Sequence, residues 1–107
     1  MKLTVLERLT ALNLLPEEGN IVKIRMRMKL IEKVGLSAEE LEEYDLKPGE
    51  VENTVQWKMD IPQEKEIDLK GPEIAAIAEN LVKLNKDEKL TPQHLTLYEK
   101  FVDENED

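Results

Sequence analysis

The chain has 107 residues, a length that suits one domain built around one core. It contains no cysteine, which excludes disulfides, thiolate metal sites and cysteine nucleophiles. Its formal net charge of −9 is uneven: the first 35 residues hold seven Lys/Arg against four Asp/Glu, the rest eight against twenty, so the acidic field disfavours general binding to phosphate backbones.

The opening Met1-Lys2-Leu3-Thr4-Val5 runs at once into Glu7 and Arg8, without the apolar stretch of a signal peptide. No run approaches the ~18 apolar residues of a membrane span. A soluble cytoplasmic protein is expected. Aromatics are few (Tyr44, Trp57, Tyr98, Phe101), so the core should be aliphatic.

The first helix is expected over Val5–Leu15. Thr4 and Glu7 have capping-box spacing, and Leu6, Leu9 and Leu12, widened by Val5, form its apolar stripe. Pro16 stops it, and residues 16–20 read as a turn.

The segment Ile21–Val34 admits two readings. Val22, Ile24, Met26, Met28 and Leu30 alternate with Lys23, Arg25, Arg27 and Lys29, the period of a half-buried strand. As a helix, the same segment carries two apolar stripes: Ile21, Ile24, Met28 and Ile31, and nearly opposite them Val22, Met26, Leu30 and Val34. Asn20 as N-cap, Gly35 as C′ residue and a length of 14 residues favour the helix. A helix with two apolar faces needs two partners. The face formed by Val22, Met26, Leu30 and Val34 is expected to be the spare one.

Ser37 and Glu40 repeat the capping box, and Leu36 and Leu41 sit at staple positions, so a short helix over Ala38–Tyr44 is expected. Pro48-Gly49 then marks a turn. Asp45–Lys47, Thr54–Met59 and Lys65–Leu69 are candidate strands of a three-stranded antiparallel meander, with Val55, Trp57 and Met59 on one face. Gly71-Pro72 opens a helix with Ile74, Ile77, Ala78, Leu81 and Leu84 at helical spacing. Thr91-Pro92 opens the last helix, whose buried face is expected to be Leu95, Tyr98, Phe101 and Val102. Residues 103–107 read as an acidic disordered tail, leaving 1–102 as a single α+β domain.

Few residues carry chemistry. His94 is the only histidine and Ser37 the only serine, the latter already used as a cap. The clusters Glu39, Glu40, Glu42, Glu43 and Glu64, Glu66, Asp68 read as solvated charge rather than a carboxylate pair in a cleft. The four glycines fall at turns or helix ends and build no phosphate loop. No catalytic, cofactor or metal site is assigned. Lys23, Arg25, Arg27 and Lys29 are the candidate phosphate-binding residues: a cationic face if a strand, dispersed if a helix. A lone Trp57 is core in the ordinary case and an interface anchor if exposed.

Three strings, two near the start of the chain and one near its end, resemble known proteins. Met1–Leu9 with Leu14–Val22 (MKLTVLERL, LLPEEGNIV) and Leu90–Val102 (LTPQHLTLYEKFV) look like the two ends of small uncharacterised proteins of tailed bacteriophages and prophages. The resemblance implies an accessory phage protein in a bacterial cell, transfers no active site, and favours helix over Ile21–Val34.

The resulting expectation is an α+β fold: an N-terminal helical hairpin, a short third helix, a small three-stranded sheet and two C-terminal helices. The expected function is non-enzymatic protein–protein interaction, as a homodimer or with an unidentified phage or host protein. The alternatives are a nucleic-acid-associated regulator of winged-helix type and an acidic mimic of DNA.

Overall fold

The structure, a computed structural model, describes residues 1–50 and 54–104. A first strand, β1 (Lys2–Leu3), precedes α1 (Val5–Leu12), α2 (Ile21–Val34) and α3 (Ala38–Glu43). The hairpin strands β2 (Lys47–Pro48) and β3 (Val55–Gln56) follow, then β4 (Lys65–Glu66) and α4 (Gly71–Lys86). The C-terminal segment is a 3-10 turn (Pro92–His94), a short α5 (Leu95–Tyr98) and a π turn (Glu99–Asp103). The α+β class is as the sequence predicts, and Ile21–Val34 is helical.

The helix starts follow local chemistry. Thr4 Oγ1 accepts from the Glu7 amide and Glu7 Oε1 from the Thr4 amide, closing a capping box. Ser37 and Glu40 do the same for α3, and Asn20 Oδ1 accepts from the Lys23 amide at the start of α2. α1 ends at Leu12, three residues short of expectation. Asn13 takes the cap, and Pro16 disfavours helical backbone at Leu15, which turns with Leu14 into the core.

The sheet differs from the expected meander. β2 pairs with β3 as a hairpin, but β4 pairs with β1, matching Lys2 to Glu66 and Leu3 to Lys65. Two two-stranded sheets therefore replace one of three strands. The redirecting segment is 57–63. Gln63 donates to the carbonyls of Lys58 and Ile61, and the Pro62 carbonyl accepts from the Tyr44 hydroxyl. The chain is thereby steered away from β3 towards the free edge of β1.

The core gathers Leu3, Ala11, Leu14, Leu15, Leu30, Val34, Ile67, Ile77, Leu81, Leu97 and Phe101 from every helical layer except α3. Ile77 and Leu81 lie on the stripe expected for α4. On α1 the expected Leu6, Leu9, Leu12 stripe is displaced: Leu6 is exposed, and the fully covered positions are Val5, Arg8 and Ala11. In the last segment Leu97 and Phe101 are buried, whereas Leu95 is exposed and Tyr98 and Val102 are half-covered. The 3-10 entry and the wider π turn shift the phase away from a regular α-helix. Asp103 belongs to that turn; of the expected disordered tail, residues 105–107 lie outside the described residues.

Candidate functional site

At about 100° per residue, Leu30 and Val34 of α2 point opposite to Ile21 and Met28. Leu30 and Val34 are fully buried, and Met26 is half-buried against them. Of the four residues expected to form the spare face, three therefore serve the core; Val22 alone is open, beside a groove. The expectation had the two stripes reversed. Ile21 is 60% exposed, Met28 59% and Ile31 37%, with Ile24 half-covered beside them.

The reversal has a hydrogen-bonded contact from another helix as its cause. Val34 and Gly35 are held by Arg8, a residue of α1 that is 1% exposed. Arg8 Nε donates to the Val34 carbonyl at 2.9 Å and Nη2 to the Gly35 carbonyl at 2.7 Å. A guanidinium thus satisfies the carbonyls that end α2, a favourable charge for that end of the dipole. Gly35 has extended backbone, so it does not provide the left-handed cap expected of it. The same guanidinium clamps Glu40 through two bonds, of 2.6 and 2.9 Å. Pinning its last turn to α1 and α3 rotates the Leu30–Val34 side of α2 inwards.

Arg8–Glu40 belongs to a recurring arrangement. Among the described residues three buried glutamates, Glu7, Glu40 and Glu73, stand in the first turns of α1, α3 and α4. Each accepts from a backbone amide three residues earlier, and each is also met by a cation from another element. Lys100 Nζ lies 2.8 Å from Glu7, Arg8 holds Glu40, and Lys33 Nζ lies 2.7 Å from Glu73. The Arg8 hydrogen bonds, against burial and with the Ser37 amide, bring the Glu40 carboxyl down to about 2. At Glu7 burial pushes upward but is outweighed by Lys100 and the Thr4 amide, so its carboxyl also falls. Glu73 falls in the same way, burial being outweighed by Lys33 and the Lys70 amide. A general acid needs a raised carboxyl; these three are lowered and committed to joining helices.

The remaining candidates are separated in space. Trp57 is half-buried, outside the core cluster, with its indole N–H donating to Gln63 Oε1 at 2.8 Å. Val55 and Met59, expected to share its covered face, are exposed. Because α2 is a helix, the four basic residues do not form one face. Arg27 is half-buried and donates to the Pro16 carbonyl at 3.1 Å, and Lys23 lies at the groove. Arg25 and Lys29 project on another side, Lys29 near enough to Glu73 to help hold its carboxyl down. His94 Nδ1 accepts from the Thr91 amide at 2.9 Å, so that nitrogen serves as a cap.

The groove, about 940 Å³, runs between residues 13–18, the start of α2 and the outer side of α4. Asn80 donates across its floor to the Leu14 carbonyl. Among the described residues no three His, Asp or Glu side chains converge as a metal cluster, and no helix is long and apolar enough to cross a membrane. Comparison with protein families, curated proteins and solved structures found no match.

The sequence pointed to α2 but not to its correct side. Ile21, Met28 and Ile31 are visible as a stripe, yet nothing in their hydropathy separates them from Val22, Met26, Leu30 and Val34. The deciding signal is Arg8, a charged residue in phase with the buried Val5 of α1.

Proposed function

We propose that this chain is a non-enzymatic interaction protein that forms a homodimer through the Ile21, Met28 and Ile31 face of α2. The observation that carries the reading is one helix with two apolar sides, of which the core covers one. Side chains of this size left more than a third exposed along one line of a helix support a reading of that side as a contact surface. The committed state of Glu7, Glu40 and Glu73 supports a binding role over chemistry, since the buried carboxylates join helices. The resemblance of the chain ends to phage and prophage proteins suggests the setting, an accessory protein in a bacterial cell.

Nucleic-acid binding is less well supported. The basic residues of α2 are dispersed, and α3, which would occupy the place of a recognition helix, turns Glu39, Glu42 and Glu43 to solvent.

Sedimentation equilibrium tests the reading. A dimer is expected at about 100 μM chain, a concentration at which even a weak apolar interface is populated. Met28→Glu should be monomeric there, and at dilutions where both chains are monomers its thermal transition should match wild type. A monomeric wild-type chain at that concentration refutes the proposal.

A further inference from the structure

We infer that the two copies of α2 pack antiparallel about a two-fold axis beside Met28, with Arg25 of each chain against the partner's Glu32. This rests on the homodimer reading and specifies its geometry.

Arg25 and Glu32 are seven residues apart, close to two full turns, so they lie on the same side of α2, separated by about 10 Å along its axis. Both flank the line from Ile21 to Met28. Both project to solvent, and neither has an ion-pair or hydrogen-bond partner among the described residues. Glu32 is the one acid on a helix otherwise carrying Lys23, Arg25, Arg27, Lys29 and Lys33. An exposed acid placed two turns from an exposed base, at the edge of an open apolar stripe, is complementary to itself.

A two-fold contact makes every pairing reciprocal: if residue i meets residue j, then j meets i. In antiparallel helices, facing residues have position numbers with a nearly constant sum. An axis at Met28 sets that sum near twice 28. Met28 then meets its own counterpart, Ile24 meets the partner's Ile31, and Arg25 meets the partner's Glu32. One register therefore aligns the apolar line and forms the charge pair twice. Parallel packing about a two-fold along the helices would carry this charged edge of one copy to the opposite side of the contact from that of the other, so that Arg25 and the partner's Glu32 would not meet. The charge pattern selects a second antiparallel copy over a parallel one.

Charge reversal tests the register. Arg25→Glu and Glu32→Arg, each alone, replace two attractions by two repulsions and should weaken dimerisation roughly tenfold at about 50 mM salt. The double variant R25E/E32R rebuilds both pairs with opposite polarity and should return to within about threefold of wild type. At dilutions where all the variants are monomers, thermal transitions should stay put, because neither side chain has a contact to lose within its own chain. A double variant that associates no better than the single ones, or single reversals without effect, overturns the register while leaving the dimer standing. A wild-type chain that stays monomeric removes the dimer itself, and the register with it.

Discussion

Replacing Arg8 by methionine keeps an unbranched apolar stem and removes the whole guanidinium head group. Four hydrogen bonds disappear: two to Glu40, one to the Val34 carbonyl and one to the Gly35 carbonyl. The Glu40 carboxylate stays buried, with Lys65 at 3.5 Å as its remaining cation. Breaking a buried ion pair from one side costs about 3–5 kcal/mol. An orphaned carbonyl at the end of α2 adds about 1–3 kcal/mol. A domain of this size has roughly 5–15 kcal/mol in total, so R8M should lose between a third and all of its stability. Urea unfolding followed by circular dichroism reads the change, with the midpoint falling by about 2 M or more. Arg8→Met combined with Glu40→Gln should be more stable than R8M alone. The amide still accepts from Ser37 but leaves no uncompensated charge. A loss below about 1 kcal/mol for R8M, or a double variant no more stable than the single, would refute the assignment of Arg8 as the junction of α1, α2 and α3.

Acid should unfold the protein through the same residues. Glu40 has its carboxyl lowered from 4.5 to about 2, so its stabilising contribution is complete above pH 4.5 and is lost as pH falls from there towards 2. That contribution is about 3 kcal/mol, and Glu7 and Glu73 add to the loss in the same direction. Stability measured by urea at successive pH values should fall steeply over that window, and R8M should show a shallower fall. The two sides of α2 should answer truncation differently. Leu30→Ala should cost about 2–5 kcal/mol, and Met28→Ala less than about 0.5 kcal/mol in the monomer. Equal costs would mean that the sides have been misassigned.

What was legible in the sequence is what is set within four residues. The Thr4–Glu7 and Ser37–Glu40 boxes, the Asn20 cap and the Ile77–Leu81 spacing of α4 are local, and the structure contains each of them. What was not legible depends on residues far apart in the chain. β1 is two residues long, too short for a period, and it forms only because Lys65–Glu66 comes to meet it. Leu97 displaces Leu95 from the core through a π turn that no local propensity marks. The second role of the capping glutamates is of the same kind. Spacing shows Glu7 and Glu40 as caps, but the cations that bury them arrive from 93 and 32 residues away. The inverted reading of α2 follows from one such contact, since the grip of Arg8 on Val34 decides which of two equal stripes faces inward.

A methyl-resolved NMR dilution series from about 1 mM to 10 μM, spanning the affinity expected of a single-helix interface, interrogates the open side of α2 most directly. The methyl signals of Ile21, Met28 and Ile31 should move together with concentration while those of Leu30 and Val34 stay fixed. Signals that do not move, or movement at Val55 and Met59 without α2, would contradict the proposed interface.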